Sequence, residues 1–361
     1  MKNLSSEVNV ASRLRSEPSE EDWVFQAQSL QRVSRTFALT IPQLPTPLRD
    51  VVGNAYLLCR IADTIEDATS LSVEEKVQFS ELFRRVIRGE EAPETFAATV
   101  APRLEGGALE AEVALVQNAA RVLRITQSFS ATDRASLERC VRIMTEGMSH
   151  FQEGCFDSGL EDQSQLDKYC YYVAGVVGEM LTELFCAHSP AVAKNREVLE
   201  SLAKSFGQGL QMTNILKDLW DDKGRNVCWL PRSIFATYDY DLRELSAHRL
   251  TPGFEKGLVH LIGVTRGHLE NALRYALTIP KSEQGIRRFC LWAIGLAVLT
   301  LRKINANRRF SSGREVKVSR RTVYLTIFVT TLLGWNNTLL ETAFRLAARG
   351  LPKPQGEPVT S

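Results

Sequence analysis

The chain has 361 residues, with 44 Lys and Arg against 42 Asp and Glu, so its formal net charge is +2. With 44% hydrophobic and 24% charged residues, the composition is typical of a soluble globular protein and excludes a disordered or fibrous one. A net charge this close to zero argues against nucleic acid as the main partner, because no strongly basic field is available to offset phosphates. The seven cysteines are widely spread and never form Cys-x-x-Cys, which favours a reducing, cytoplasmic compartment over a disulfide framework or a structural zinc site.

The pattern of apolar residues divides the chain into two short ends and one long helical part. Residues 1–22 are polar with no apolar segment to follow, which predicts a flexible N-terminus without a secretory signal. Over residues 23–350 apolar side chains recur at three- and four-residue spacing, and alternating strands are absent, so we predict helices throughout. The length allows two domains of about 150 residues, but no long polar linker interrupts this range. We therefore expect one all-α domain over 23–350 and a flexible tail at 351–361.

The first candidate functional residues end an apolar helical segment. Asp63, Glu66 and Asp67 follow the run Tyr56-Leu-Leu-Cys-Arg60-Ile-Ala. Their spacing of i, i+3 and i+4 predicts that the three carboxylates share one face of a helix. Arg60, one turn earlier, is a candidate for contact with a phosphate group.

A second triplet with the same spacing lies far downstream, at Asp218, Asp221 and Asp222. Like charges on one helix face repel, so two such triplets beside apolar residues predict a compensating cation. Mg²⁺ prefers carboxylate oxygens and shares its remaining positions with water and phosphate, which predicts that Mg²⁺ assists the departure of a diphosphate. A solvated helix face is the commoner explanation of a single triplet, whereas two matching triplets favour the metal site. Lys217 and Arg225, beside the second triplet, are further candidates for phosphate contacts.

The most hydrophobic stretch of the chain is Val323–Trp335. It is shorter than the roughly 20 residues that span a bilayer, so we predict a buried core helix rather than a membrane span. Its apolar character also allows contact with a membrane surface.

Motifs of several other enzyme classes are absent from the sequence. The chain has no His-Glu-x-x-His, P-loop, Gly-x-Ser-x-Gly or Gly-x-Gly-x-x-Gly motif. Any nucleotide cofactor must therefore bind outside a Rossmann site.

Four segments, in order, resemble motifs of the squalene/phytoene synthase family: Ser34-Arg-Thr-Phe37, Asp63-Thr-Ile-Glu-Asp67, Asp167-Lys-Tyr-Cys-Tyr-Tyr-Val-Ala-Gly-Val-Val-Gly178 and Asp218-Leu-Trp-Asp-Asp222. The resemblance extends from about residue 25 to about 348. Within the family, Lys168-Tyr-Cys-Tyr-Tyr-Val-Ala-Gly175 and Gln211-Met-Thr-Asn-Ile215 are most similar to squalene synthases. No anchor helix is expected at the C-terminal end, which is typical of a bacterial-type enzyme that is cytoplasmic or peripheral to the membrane.

The resemblance implies an isoprenoid synthase helical bundle with a central cavity between the two acidic helices. It also implies a prenyltransferase that condenses two farnesyl diphosphates head to head to presqualene diphosphate, and then forms squalene reductively, with Mg²⁺ and NADPH as cofactors. By the same matching, the metal ligands are Asp63, Glu66, Asp67, Asp218, Asp221 and Asp222. The implied diphosphate contacts are Ser34, Arg35, Tyr56, Arg60, Gln211, Asn214, Lys217 and Arg225.

The remaining implied residues concern catalysis, the apolar pocket and NADPH. Tyr169 matches the family's proton-shuttling tyrosine and is expected to be catalytic together with Asp63, Asp67, Asp218 and Asp222. An allylic cation must be kept from water, so a dry pocket is expected. Its expected lining is Phe37, Val173, Ala174, Val177, Gly178 and Leu210. Lys317 and Arg320 resemble a basic stretch near the nicotinamide cofactor's phosphate, although a solvated basic turn is an equal alternative.

Two departures from the squalene synthase pattern leave alternatives open. Lys223-Gly-Arg-Asn-Val-Cys-Trp-Leu-Pro231 replaces Gly-Gly-Arg-x-Phe-Trp-Pro, and Phe289-Cys290 lacks the proline that follows in eukaryotic enzymes. A phytoene, dehydrosqualene or presqualene diphosphate synthase without the reductive step is therefore one alternative. A non-catalytic helical scaffold that keeps the fold is another. The length of the prenyl chain is left open, because the depth of the pocket depends on how the helices pack. The oligomeric state is left open as well, since no helix shows a sustained heptad pattern.

Overall fold

The secondary structure is helical, as predicted. A computed structural model of the protein describes residues 17–34, 36–152, 156–247 and 249–354. Within these ranges extended backbone pairs only at an isolated bridge between Leu160 and Pro231. The all-α fold class is therefore confirmed.

The α-helices are α1 (Glu20–Val33), α2 (Phe37–Thr40), α3 (Leu48–Asp67), α4 (Val73–Ile87), α5 (Pro93–Leu104), α6 (Glu110–Gln117), α7 (Ala119–Ser128), α8 (Ala131–Gln152), α9 (Gln163–Cys170), α10 (Val176–His188), α11 (Pro190–Ala193), α12 (Arg196–Gly224), α13 (Arg232–Ala236), α14 (Pro252–Thr278), α15 (Gln284–Ala306), α16 (Arg320–Leu333) and α17 (Asn337–Ala347). Short 3₁₀ turns occupy Ile41–Gln43 and Leu242–Glu244, and a π-helical turn, Tyr171–Gly175, joins α9 to α10.

The chain divides into two compact units. Of the described residues, those within 1–154 and 183–188 form the first unit, and those within 155–182 and 189–361 form the second. The first acidic triplet belongs to the first unit and the second triplet to the second unit.

In the first unit, α3 is packed among α1, α4, α6, α7 and α8. Its apolar face, including Leu57 and Ile61, is fully buried. Asn54 on the same helix is also buried, and its Nδ2 donates to Oε1 of Gln26 at 3.1 Å and to the carbonyl of Val122 at 2.9 Å. These bonds satisfy the buried amide and link α3 to α1 and α7, which fixes the position of the acidic end of α3.

In the second unit, the long helices α12, α14 and α15 form the centre. Two glycines allow α12 and the α9–α10 segment to approach closely. A Cβ atom on Gly207 would lie 2.1 Å from the carbonyl oxygen of Ala174, and one on Gly178 would lie 2.2 Å from that of Ala203. Because real Cβ atoms do not approach backbone oxygen this closely, only glycine permits this packing.

Both chain ends contain ordered residues in segments predicted to be flexible. α1 begins at Glu20, inside the predicted 1–22 segment, because Ser19 caps the helix and the buried Asp22 pairs with Arg124 at 2.8 Å. In the predicted 351–361 tail, Leu351 is buried and its carbonyl accepts a hydrogen bond from Arg266 at 2.8 Å. Residues 1–16 and 355–361 lie outside the described ranges.

The prediction that Val323–Trp335 forms a buried core helix is wrong. The helix is present as α16, but Thr326 is its one buried residue. Phe328 and Leu332 are more than 60% exposed. The period of apolar residues locates an apolar face, but it does not determine whether that face meets the protein core.

Two other helical segments of the described chain are long and apolar enough to cross a membrane: Gln163–His188 and Gln284–Ala306. About half of the apolar part of each is buried within the protein, 50% and 56% respectively. Core helices of soluble proteins have the same properties, so length and composition give only weak support for membrane spans here.

Candidate active site

Both predicted carboxylate triplets lie at the C-terminal ends of long helices. α3 ends at Asp67 and α12 ends at Gly224, so Asp63 and Asp218 each lie in the last two turns. The C-terminal end of a helix carries partial negative charge, and carboxylates there are repelled by the helix dipole as well as by one another. This placement, like the spacing of the carboxylates, is unfavourable without a compensating cation.

Arg60 is held beside the first triplet by a residue that the sequence patterns did not indicate. Its guanidinium forms an ion pair with the buried Glu112 of α6, and its Nη1 lies 3.9 Å from Oδ2 of Asp63. Glu112 also accepts a hydrogen bond from the backbone N–H of Leu109 at 3.2 Å. Two whole helices, α4 and α5, separate Glu112 from Arg60 in sequence, so no local spacing signals this contact.

The electrostatic environment of Asp63 disfavours its charged form. Burial raises the pKa of Asp63 to about 7, and the nearby carboxylates of Asp67 and Glu112 reinforce the rise, while Arg60 opposes it. Asp63 and Glu66 are partly buried and Asp67 is exposed, so the face carrying the triplet is accessible.

The aromatic residues predicted near the diphosphate and the pocket come together in the first unit. The rings of Phe37 and Tyr56 have centroids 5.2 Å apart, and the Tyr56 hydroxyl donates to the carbonyl of Val33 at 3.3 Å. The buried Ser34 accepts a hydrogen bond from the N–H of Phe37 at 3.0 Å, which orients the start of α2. Arg35 lies outside the described residues.

In the second unit, basic residues accompany the second triplet as predicted. Lys217 Nζ lies 3.0 Å from Oδ2 of Asp218 and donates to Oδ1 of Asn214 at 3.3 Å. Arg225 Nη2 lies 2.6 Å from Oδ1 of Asp222. Carboxylates and cations thus alternate at this end of α12, and an incoming phosphate offers these cations an additional anionic partner.

A loop after α15 packs against the second triplet and was not indicated by sequence. A Cβ atom on Gly313 would lie 2.9 Å from the Lys217 carbonyl, 3.5 Å from Oδ1 of Asp218 and 3.7 Å from Oδ2 of Asp221. Trp220 Nε1 donates to the carbonyl of Phe310 at 2.7 Å and fixes the same loop. Burial raises the pKa of the Asp218 carboxyl, with Asp221 adding to the rise and Lys217 opposing it.

Tyr169, the predicted proton-shuttling residue, is buried and stacked on Trp229. The ring centroids lie 3.8 Å apart and the planes are inclined by 12°. Trp229 belongs to the segment in which this sequence departs from the squalene synthase pattern, and its stacking shows that the altered segment still contacts the predicted catalytic tyrosine. The stacked pair restricts the orientation of the phenol ring.

The predicted pocket residues of the second unit cluster near the π-helical turn. Val173 and Ala174 lie in that turn, Val177 follows it, and all three are partly buried, as is Leu210 on α12. π-helical turns often occur at functional sites, and no sequence spacing predicted this one. Gly178 contacts the backbone of α12, so helix packing accounts for it directly.

The residues predicted to contact the phosphate of the nicotinamide cofactor lie at the protein surface. Lys317 and Arg320 are exposed at the start of α16, and the described chain contains no ion pair for either residue. Gln211, predicted to contact a diphosphate, is partly buried on α12.

The donor set fits Mg²⁺ in its chemistry. The candidate ligands are carboxylate oxygens, which this hard cation prefers, and each triplet lies at a negatively polarised helix end. In the described part of the chain, no three Asp, Glu, His or Cys side chains converge closely enough to hold a metal by themselves.

Known proteins resemble this chain along most of its length. The sequence model of the family described as "Squalene/phytoene synthase" matches residues 30–322. Squalene synthase 1 of Arabidopsis thaliana is 30% identical over 315 residues, covering 84% of this chain and 70% of the plant protein. Squalene synthase of Solanum lycopersicum is 31% identical over 316 residues, covering 84% and 72% respectively.

Solved structures show the same fold. The complex of TcSQS with E5700 has a TM-score of 0.70 at 24% identity and covers 94% of both chains. A dehydrosqualene synthase in complex with ligand has a TM-score of 0.60 at 18% identity, covering 91% of this chain and 98% of the other. These likenesses extend across both compact units.

Proposed function

Because the chain belongs to the squalene/phytoene synthase family and is a prenyltransferase that condenses prenyl units head to head, we propose that it converts two farnesyl diphosphates to squalene. Presqualene diphosphate is the proposed intermediate, and NADPH the proposed reductant. The observation that carries this proposal is the pair of carboxylate triplets at two helix C-terminal ends, each accompanied by a basic side chain. The two plant relatives compared above are squalene synthases, which supports squalene as the proposed product.

The residues of each helix end have separate tasks in the proposed reaction. Mg²⁺, bound through Asp63 and Asp67 and through Asp218 and Asp222, would act as a Lewis acid on the diphosphate leaving group. Arg60, Lys217 and Arg225 would contact diphosphate oxygens and offset the charge that develops as the group departs. Glu66 and Asp221 would support the metal ligands, and Ser34, Arg35, Tyr56, Gln211 and Asn214 would complete the diphosphate contacts.

The remaining side chains would protect and guide the carbocation. Phe37 and the partly buried aliphatic residues near the π-helical turn would exclude water, since water would quench an allylic cation. The faces of Phe37 and Tyr169 would stabilise positive carbon through their ring quadrupoles. The Tyr169 hydroxyl would carry the proton lost when the cyclopropane ring of presqualene diphosphate forms.

The reductive step and the cellular location are parts of the same proposal. We assign the phosphate of NADPH to the exposed Lys317 and Arg320 at the start of α16. The cysteines are widely spread along the sequence and form no Cys-x-x-Cys motif, which supports a reducing, cytoplasmic location.

Product analysis by gas chromatography and mass spectrometry tests this function. Purified protein is incubated with farnesyl diphosphate and Mg²⁺, with and without NADPH, and with geranylgeranyl diphosphate in parallel. Squalene formed only with NADPH is the expected result. Presqualene diphosphate or dehydrosqualene as the end product in the presence of NADPH, or phytoene from the longer substrate, would overturn the proposed product.

Matched variants test the roles of the carboxylates. Asp63→Asn and Asp218→Asn should each lower kcat by roughly 100-fold or more, because they remove charge from the proposed metal sites. Asp50→Asn, at the opposite end of α3 and paired with Arg49 at 3.2 Å, should retain full activity. Equal activity of all three variants would refute the metal assignment.

A further inference from the structure

Helix α16 packs with its hydroxyl-bearing face inward. A Cβ atom on Gly295 of α15 would lie 2.6 Å from Cγ2 of Thr326 and 3.9 Å from Cγ2 of Thr330. The Thr326 hydroxyl donates to the carbonyl of Thr322 at 2.8 Å, and the Thr330 hydroxyl donates to that of Thr326 at 2.7 Å. The hydroxyl groups of the inward face are therefore satisfied by hydrogen bonds within the helix.

The opposite face of α16 is apolar and exposed. Tyr324, Leu325, Phe328 and Leu332 are 61–67% exposed, and at 100° per residue they fall within an arc of roughly 100°. Seven of the twelve strongly exposed large apolar residues in the described chain lie between Tyr324 and Leu346. Single exposed apolar residues need no explanation, but a contiguous group marks a binding surface. We call this group, Tyr324, Leu325, Phe328, Leu332, Trp335, Leu339 and Leu346, the outer apolar face.

The surroundings of the outer apolar face are strongly basic. Residues 309–354 contain eight Lys and Arg but only two Glu, although the whole chain has a net charge of only +2. Arg321 lies one turn before Leu325 on the same side of α16, and Arg345 and Arg349 follow on and after α17; all three are exposed. Within the described residues none of these three arginines forms an ion pair, so their charges are available to an anionic partner.

We infer that the outer apolar face binds the surface of a bilayer that contains anionic lipids. Basic side chains beside an exposed apolar stripe are the features that hold a helix in the headgroup region, with its apolar side chains at the acyl boundary. Tyr324 and Trp335 have the amphipathic rings that concentrate at this depth. α16 has 14 residues and is only about 21 Å long, so it lies in the plane of the membrane rather than across it.

The distribution of charge favours a membrane over a second copy of the chain. A symmetric dimer through this face would oppose two surfaces that each carry a net positive charge, which costs energy. An anionic lipid surface instead attracts each basic residue. The inference depends on the packing of α16 and not on the reaction proposed above, so the two can fail separately.

Vesicle flotation of the full chain tests the inference. We expect binding to vesicles of phosphatidylcholine with 30% phosphatidylglycerol, weaker binding to phosphatidylcholine alone, and release at high salt. The variant Leu325→Ser/Phe328→Ser/Leu332→Ser should lower the partition coefficient by about tenfold or more, since each side chain loses its apolar burial. Arg321→Gln/Arg345→Gln should lower binding to the anionic vesicles only. The matched control Val24→Ser/Leu109→Ser/Val198→Ser removes three exposed apolar side chains elsewhere and should bind like the wild type.

Two further measurements keep the test decisive. Circular dichroism of each variant should match the wild type, because the changed side chains are exposed. The fluorescence of Trp335 is obtained by subtracting the emission spectrum of Trp335→Phe from that of the folded wild type. This emission should shift to the blue when anionic vesicles are added. The inference is overturned if the wild type does not float, if the triple variant floats as well as the control, or if the Trp335 signal does not move. Sedimentation velocity showing a wild-type dimer that only the triple variant dissociates would assign the face to a second copy instead.

Discussion

Glu112, near the start of α6, forms an ion pair with Arg60 of α3. The contact holds the guanidinium group beside the first carboxylate triplet. Nη1 of Arg60 lies 3.9 Å from Oδ2 of Asp63, which is too far for a direct hydrogen bond. Arg60 is therefore positioned by a carboxylate outside the triplet, which leaves the triplet available to a cation. Glu112 acts as a positioning residue for the proposed diphosphate contact.

Replacing Glu112 by Gln should raise KM for the prenyl diphosphate by about tenfold and change kcat much less. Gln keeps the size of the side chain but loses the charge-assisted bond to Arg60, and such bonds contribute about 1.5–3 kcal/mol. Steady-state kinetics at saturating Mg²⁺ provide the KM and kcat values. Glu110→Gln, an exposed neighbour on the same helix, is the control and should leave both values unchanged. A KM for Glu112→Gln equal to that of the wild type would show that Arg60 needs no such support.

The buried His268 should make the protein less stable in mild acid. Burial lowers the pKa of His268 to about 4, and its Nδ1 lies 2.8 Å from Oγ of Ser205. In the unfolded chain a histidine titrates near pH 6.5, so between about pH 6.5 and 4 the unfolded chain binds a proton that the folded chain does not. The corresponding contribution to the free energy of unfolding, about 3 kcal/mol, is fully present above pH 6.5 and is lost as the pH falls towards 4.

Urea unfolding at pH 7.5 and at pH 4.5 measures this loss. His268→Gln should show a smaller decrease in free energy between the two pH values than the wild type, since Gln does not titrate. His150→Gln, at an exposed position, should retain the full wild-type decrease. Identical decreases for wild type and His268→Gln would contradict the assignment.

The helix faces could be predicted from the sequence because they depend on local geometry. Asp63, Glu66 and Asp67 share a face through helical spacing alone, and Lys217 lies next to Asp218 in the chain. Contacts between distant segments could not be predicted in this way. Glu112 reaches Arg60, and Gly313 reaches the second triplet, only through tertiary packing. The burial of α16 was mispredicted for a related reason, since an apolar stripe has the same period whether it faces a core or the outside.

Gly178 provides a test that separates helix packing from a role in the pocket. A Cβ atom at this position would lie 2.2 Å from the Ala203 carbonyl oxygen, so Gly178→Ala must displace α12 or α10. We expect the free energy of unfolding to fall by about 2–3 kcal/mol, as for other overpacked positions. Gly224→Ala, with no atom within 4 Å of the added Cβ, should cause no comparable loss. If Gly178→Ala kept its full stability but lost activity, the residue would belong to the substrate pocket instead.

Arg287 of α15 should be essential for the position of the outer apolar face. It is fully buried, and its guanidinium donates to the carbonyl of Ile279 at 2.6 Å, to that of Gly334 at 3.1 Å and to Oδ1 of Asn337 at 2.7 Å. One side chain thus satisfies the ends of α14 and α16 and the start of α17. The methionine side chain of Arg287→Met is also unbranched along its stem but donates no hydrogen bond, so these buried acceptors lose their partners.

We expect Arg287→Met to lower the free energy of unfolding by about 3 kcal/mol or more, because several buried polar groups become unsatisfied together. Arg287→Lys should recover only part of this loss, since an ammonium group lacks the planar arrangement of donors that reaches all three acceptors. Limited proteolysis followed by mass spectrometry should find the earliest cleavage of Arg287→Met in the turn between α16 and α17. Arg302→Met, exposed on the same helix, should have wild-type stability and cleavage. If Arg287→Met unfolded at the same urea concentration as Arg302→Met, the hydrogen bonds of Arg287 would contribute no net stability, and its proposed role in fixing α16 would be refuted.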